Sequence, residues 1–283
     1  MTDRPELTSL RAAFVALGVE TERALLADHP GRRRVVRVGD IVVKAFAPDE
    51  HAAWLREESG LRALVGAGLA VPLVATGPLW TATGWFEAVS PIQGVVDLVP
   101  LHRSLGQYLA RLHQVDPSGM RPWPVADRLR ALLDSPPASC PSSLVKGIDR
   151  MVDPWMSFPA AATQRYVHGD WGTSNVLVEP ESTTTVVAVV DFEDSHVGDP
   201  AEDFKWQVLA GPESPDYAAM RIGYRIAGRT LGPKAGERLA LAGAELCLDV
   251  LRWEVPGDRV VAFRDRCLQT LDELLSGRLP EPP

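Results

Sequence analysis

The stretch from Tyr166 to Asp203 constrains this chain more than any other. It opens with Tyr166-Val167-His168-Gly169-Asp170-Trp171 and runs through Asn175-Val176-Leu177-Val178 into the polar turn Glu179-Pro180-Glu181-Ser182-Thr183. A β-branched run from Thr184 to Val190 follows and ends on Asp191-Phe192. Two short β-rich runs about a polar turn read as a hairpin. Such a hairpin returns the chain beside its start, so Asp191 comes back toward Asp170 and Asn175, although sixteen positions separate Asn175 from Asp191. A fold for this sequence therefore has to gather an amide and two acids at strand ends.

That trio has a definite chemistry. Mg²⁺ takes oxygen ligands and keeps waters or substrate phosphates, so one carboxylate and one amide from the protein suffice. A second acid is then left to accept the proton of an attacking hydroxyl. Phosphoryl transfer asks for little more than positioning, charge neutralisation and such a base. Asp170 is expected as the catalytic base, and Asn175 and Asp191 as the metal ligands. Kinases carry the same order, with Asp and Asn five apart and a later Asp preceding Phe. Asp and Asn also favour turns. That explains each residue singly but not their joint order, spacing and strand context.

Composition bounds the remaining possibilities. A chain of 283 residues can bury a large core as one large domain or two lobes. With 29 Lys plus Arg against 37 Asp plus Glu, the formal charge of −8 argues against a nucleic-acid partner, because phosphate backbones need a basic face. Cys140, Cys247 and Cys267 are far apart and form no CxxC pair, which fits a reducing compartment rather than a disulfide frame or zinc site. The first residues do not begin a signal peptide, and no apolar run approaches membrane-spanning length. A cytoplasmic protein is expected, with no membrane association and no protein partner.

The first third reads as strands with one helix. A strand is expected over Arg23–Ala27. A hairpin follows, from Arg33–Val38 and Ile41–Phe46 around Gly39-Asp40. A helix over about Glu50–Val65 places Trp54, Leu61, Leu64 and Val65 on one face, and strands follow at Pro72–Ala75 and Leu79–Ala88. Beyond a hinge at Ser90-Pro91 the pattern turns helical. Leu105, Leu109 and Leu112 share a face in a helix ending near His113, and a short helix lies near Asp127–Leu133 in an otherwise loop-like stretch. Leu239, Ala242, Leu246, Val250 and Trp253 mark a long helix, and the tail Pro280–Pro283 is expected to fray.

The sequence resembles the aminoglycoside phosphotransferase family, the small-molecule branch of the protein-kinase-like fold. The likeness rests on His168-Gly169-Asp170 with Asn175, on Asp191-Phe192-Glu193-Asp194, and on Gly198-Asp199-Pro200 with Asp203. Leu105-Gly106-Gln107-Tyr108-Leu109-Ala110-Arg111-Leu112-His113 matches the family's preceding helix. It spans about Val35 to Phe204. It implies a two-lobed α+β fold, with a β-rich nucleotide-binding lobe over 1–89 and a mainly helical catalytic and acceptor lobe over 90–283. Lys44 would grip the α- and β-phosphates of ATP. Its place in an apolar strand demands a partner acid, because an unpaired charge there is costly. Glu57 faces inward with the apolar stripe and is expected in that role, with Glu58 as the competing choice. The base would meet the hinge at Glu87, Ala88 and Val89.

The departures from the family pattern are also informative. The candidate phosphate loop Asp28-His29-Pro30-Gly31-Arg32 has one glycine, which leaves GTP open as donor. Glu193 stands where protein kinases carry Gly, and the stretch from Asp191 to Gly198 is too short for a regulated activation loop, so a small-molecule acceptor is expected. His168 is read as a loop anchor, Asp199 as the tie to the catalytic loop, and Asp203 as a helix start. In this family the acceptor lies between the catalytic loop and the C-terminal helices. Glu202, Glu245, Asp249 and Glu254 are the acids there, with Trp171, Trp206 and Trp253 as walls. Aromatic faces beside carboxylates suit an amine-bearing molecule. Inactivation of an aminoglycoside-type antibiotic is the first expectation. A tuberactinomycin-type peptide antibiotic, or a choline, amino-alcohol or sugar substrate, are alternatives. A pseudokinase is the alternative of another class, and the presence of Lys44, Asp170, Asn175 and Asp191 together speaks for an enzyme.

Overall fold

The computed structural model describes residues 5–19, 25–26, 34–91, 98–156, 164–182, 184–211, 214–253 and 258–283. In chain order the elements begin with α1 (Pro5–Leu17), β1 (Leu25–Leu26), β2 (Arg34–Val38), β3 (Ile41–Ala45), α2 (His51–Ala63), β4 (Leu73–Gly77) and β5 (Trp80–Gly84). Next come α3 (Leu98–Leu112), α4 (Val125–Asp134), α5 (Ser142–Met156), β6 (Arg165–Val167), β7 (Val176–Val178), β8 (Val186–Val189) and β9 (His196–Gly198). The chain ends through α6 (Lys205–Ala210), α7 (Pro215–Ile226), α8 (Ala235–Val250) and α9 (Asp258–Leu275). The class is α+β, as expected. The described residues of 1–96, 117–121 and 173–196 form one compact unit, and those of 97–116, 122–172 and 197–283 form another.

In the first unit an antiparallel sheet runs in the order β1-β2-β3-β5-β4. The β2–β3 hairpin turns at Gly39-Asp40, and β3 lies at the centre, with Lys44 opposite Val35 on one side and Thr81 on the other. Side chains alternate across a strand, so the two faces have different fates. Val36, Val43, Ala45 and Ala82 bury one face against Leu10, Ala13 and Phe14 of α1. Val35, Val42, Lys44 and Thr81 point to the other. Helix α1 itself was not anticipated, although Leu7, Leu10, Phe14 and Leu17 keep helical spacing. Of the strand expected over Arg23–Ala27, Leu25 and Leu26 pair with β2, and the rest lies outside the described residues. On α2 the buried positions are Ala53, Glu57, Gly60 and Leu61, whereas Val65, expected inward, is 68% exposed beyond the helix end. β5 ends at Gly84, short of the expected Ala88.

The expected second hairpin is present as β7 and β8, paired Val176 with Val189. It joins the first unit through Val89, whose N–H and C=O both bond Val178, and through a parallel bridge from Ala70 to Val189. In the second unit α8 is buried along nearly its whole length and packs with α4, α5 and α9 around Leu129, Ile148, Val152, Ala244, Cys247 and Leu271. Helix α5 was also unanticipated. Helices α3 and α7 cross at two glycines: a Cβ on Gly106 would sit 2.0 Å from the Met220 carbonyl oxygen, and one on Gly223 would sit 2.0 Å from that of Arg103. The tail does not fray, because Tyr217 Oη donates to Glu281 O at 2.7 Å and Arg225 to Pro282 O at 2.8 Å.

Candidate active site

Within the first unit, the sheet face turned away from α1 opens on a cavity of about 530 Å³. Val35, Val42, Leu61, Val71 and Leu177 give it an aliphatic lining. One end is polar and holds Lys44, Glu57, Asn175, Asp191 and Glu193. The hairpin makes this meeting possible: Val190 N–H donates to Asn175 O at 3.0 Å, so Asp191 follows directly on a residue bonded to Asn175. Asp191 takes φ 66°, a left-handed conformation that costs a non-glycine residue of order 1–2 kcal/mol. Backbone strain held in place next to paired charges is a common mark of a functional position.

Lys44 binds three acids at once. Its Nζ lies 3.3 Å from Glu57 Oε2 and 2.9 Å from Glu193 Oε2, and it also bonds Asp191 Oδ1. Burial favours the neutral amine, but the three carboxylates outweigh it and hold Lys44 protonated far above the ordinary lysine range. Burial pushes Glu57 up from the usual carboxylate range, with Lys44 pulling the other way. The choice between neighbouring glutamates is settled geometrically: Glu57 meets Lys44, while Glu58 pairs with Arg62 at 3.0 Å on the helix surface. Three carboxylates around one ammonium leave an excess of negative charge beside the Asn175 amide. Among the described residues no group of three or more His, Cys, Asp or Glu side chains is placed to hold a metal ion, and the oxygen donors that line the cavity beside this cluster are those of Asn175 and Asp191.

Two contributors escaped the sequence reading. Glu193 stood out there only as a departure from protein kinases, yet it faces the same lysine as Asp191. Sequence pattern gave no signal for this, since Asp191 and Glu193 lie beyond the end of β8 and outside any strand alternation. Arg56, next to Glu57 on α2, donates to Glu193 O at 2.6 Å and reaches Asp194 at 3.5 Å, so one helical turn fixes both the lysine and the acidic segment. At the other end of the cavity the expected trio divides. Ala88 lines it, but Val89 spends both backbone groups on Val178, and Glu87 instead accepts from Trp85 Nε1 at 3.1 Å. Trp85 lines the cavity with the Arg37 guanidinium 3.8 Å over its ring. The candidate phosphate loop Asp28–Arg32 lies outside the described residues.

In the second unit, Asp170 sits on a loop pinned from several sides. Gly169 has φ 85°, which its lack of a side chain permits. Asp203 accepts from the N–H groups of His168 at 2.9 Å and Gly169 at 2.7 Å, and bonds His113 Nε2 at 3.0 Å. Burial opposes ionisation of Asp203, but the bonds and charge of His113, with His168 adding to them, hold its pKa below the usual aspartate value. The roles expected for two acids are thus exchanged. Asp203 ties the catalytic loop, whereas Asp199 starts a helix: its Oδ1 accepts from Ala201 N–H at 2.9 Å at the head of the 3-10 turn Pro200–Phe204, and Arg238 grips both its oxygens. His168 is the expected loop anchor in geometry, its Nδ1 accepting from Asp170 N–H at 3.3 Å. The Asp170 carboxylate accepts from Trp206 Nε1 at 2.6 Å.

The residues expected around the acceptor separate into two groups. Trp171 is fully buried and stacked near Tyr108, with ring centroids 6.3 Å apart, so it is a core residue and not a wall. Glu202 is 1% exposed. Its Oε2 holds Arg128 at 2.6 Å and its Oε1 accepts from Asp199 N–H, so an internal cation and a cap already occupy it. Glu245 shares Arg128 at 3.1 Å. Glu254 lies outside the described residues. The other group stays together: Trp206 stacks near Phe263 at 5.9 Å, Phe263 lies 6.3 Å from Trp253, and the exposed Asp249 precedes Trp253 by four positions. Phe263 was not anticipated.

These features define a kinase-type enzyme. Residues 14–233 match the model of the phosphotransferase enzyme family (APH), and the chain belongs to that family. No curated protein sequence matches the chain at significance. Among solved structures it is similar to a macrolide 2'-phosphotransferase from Brachybacterium faecium, at 18% identity and TM-score 0.64 over 94% of this chain and 98% of that one. It is similar to a choline/ethanolamine kinase family protein from Mesorhizobium loti, at 16% identity and TM-score 0.69 over 94% and 95%. It also resembles the ADP-bound aminoglycoside phosphotransferase APH(2'')-Ib, at 14% identity and TM-score 0.63 over 95% and 98%. At these identities the likeness establishes the protein-kinase-like fold. No helix among the described residues is long and apolar enough to cross a membrane.

Proposed function

We propose that the protein transfers the γ-phosphoryl group of ATP to a hydroxyl of a small, amine-bearing molecule. The observation that carries this reading is the convergence of Lys44, Glu57, Asn175, Asp191 and Glu193 at the polar end of one aliphatic cavity. The aliphatic lining takes the base against Ala88, and Lys44 takes the phosphates. Asn175 and Asp191 would hold Mg²⁺, which supplies charge neutralisation on the phosphates. Asp170 is the base: the acceptor oxygen forms its bond to the γ-phosphorus as the bond to the bridging oxygen of the leaving diphosphate breaks, and the hydroxyl proton passes to the Asp170 carboxylate. Residues 1–89 serve as the nucleotide lobe and 90–283 as the catalytic and acceptor lobe. GTP is the alternative donor, and the cytoplasm is the proposed setting.

Asp249 with Trp253, Phe263 and Trp206 supports an acceptor that offers a cation beside an apolar or sugar face. Antibiotic inactivation is the first choice for such a molecule, and a small amino-alcohol the second. The test is nucleoside diphosphate release from ATP and from GTP, with Mg²⁺, against kanamycin, streptomycin, a 14-membered macrolide, choline and ethanolamine. Turnover of an antibiotic supports the first choice and turnover of choline or ethanolamine the second. Absence of both acceptor-stimulated and water-dependent turnover counts against the phosphotransfer reading.

A further inference from the structure

We infer that Trp206 is a positioning residue for the catalytic base, holding the Asp170 carboxylate through its indole N–H. The inference rests on the assignment of Asp170 as base and adds to it a residue outside the family's motif. Trp206 Nε1 donates to Asp170 Oδ1 at 2.6 Å, a short charge-assisted bond. The indole is itself held by stacking: the Phe263 ring lies 5.9 Å away at 19° to it, and Trp253 follows at 6.3 Å from Phe263. Trp206 also follows directly on the 3-10 turn Pro200–Phe204 and its first helical residue, the same turn whose Asp203 ties His168 and Gly169. One short segment therefore fixes the loop backbone through Asp203 and the loop's carboxylate through Trp206. An aspartate has two rotatable side-chain bonds, and a base works only when its oxygen faces the proton it takes. A directional donor on one oxygen sets that rotation. An indole N–H suits this task because it donates and cannot take the proton away.

The test uses the full chain with Mg²⁺ and ATP and the fastest acceptor of the panel above, or water as acceptor if none of them turns over. Trp206→Phe keeps the ring against Phe263 and removes the donor. It is expected to lower kcat by about 10- to 100-fold, the loss typical of a misplaced catalytic group, with the KM for ATP unchanged. Site-specific replacement of Trp206 by benzothienylalanine, which exchanges N–H for sulfur at nearly constant volume, is expected to give the same loss and serves if the Phe variant does not fold. In an Asp170→Asn background Trp206→Phe is expected to add nothing, because residues that act through one another are not additive. Unchanged kcat in either donor-free variant overturns the inference, as does an additive loss in the double variant. Asp170→Asn alone separates the two readings: full turnover there removes Asp170 as base, whereas loss there with unchanged kcat in Trp206→Phe removes only the role of Trp206.

Discussion

The ammonium of Lys44 meets three carboxylates, and its environment explains why a charge survives on an inward face of an apolar strand. Burial alone would drive the proton off. Glu57, Asp191 and Glu193 reverse that, and each depends on the lysine in turn. Lys44→Met therefore removes the proposed phosphate ligand and leaves acids facing one another. We expect kcat/KM to fall by at least about 100-fold and stability by about 3 kcal/mol, as when one partner of a buried pair is deleted. Steady-state kinetics and denaturant titration check both. Glu58→Gln, by contrast, is expected to leave both nearly unchanged, since Glu58 meets Arg62 at the surface. Asp203 gives a prediction in pH. Its folded pKa lies below the ordinary aspartate value, so the stability it contributes is fully present above that value and is lost as pH falls through the folded pKa. Thermal melts should show wild type losing its advantage over Asp203→Asn in that acid range.

At the scale of elements, short pieces in each unit are held against rigid ones. The β7–β8 hairpin brings Asn175 and Asp191 together, α2 presents Arg56 and Glu57 on adjacent positions, and the turn Pro200–Phe204 with the start of α6 restrains the catalytic loop. The crossing of α3 and α7 depends on Gly106 and Gly223, where backbone meets backbone. Gly106→Ala and Gly223→Ala each force that contact apart. Each is expected to cost about 3 kcal/mol and to lower the Tm by roughly 5 °C or more in a thermal melt. How far these elements were legible follows from the range of the forces involved. Hairpins and their acids were readable because β-branched runs and turn residues sit side by side in the chain. The inward turn of Glu57 was readable from its helical phase. The burial of Trp171 and the pairing of Glu202 with Arg128 were not, because both depend on partners far away in sequence. The exchange of roles between Asp199 and Asp203 was hidden for a similar reason: a capping acid and a loop-binding acid four positions apart look alike until the chain's path is known.

For the whole molecule, the acidic balance of −8 fits a cationic acceptor, as do the row of rings ending at Trp253 and the exposed Asp249. Fold class and family were legible because the motif residues carry order and spacing together. The proposed acceptor side was legible only in part, since Trp206, Trp253 and Phe263 come from segments that share no local pattern. Removal of Mg²⁺ with EDTA is expected to abolish turnover and its return to restore it, read as nucleoside diphosphate release. The most direct test of the central claim is single-turnover ³¹P NMR of wild type and Asp170→Asn with Mg²⁺, ATP and the acceptor panel. The account predicts that the γ-phosphorus resonance of ATP passes to a phosphate monoester in the wild type. It also predicts that this step slows by about 100-fold or more in Asp170→Asn while ATP binding is retained. Transfer at the wild-type rate in Asp170→Asn would contradict it.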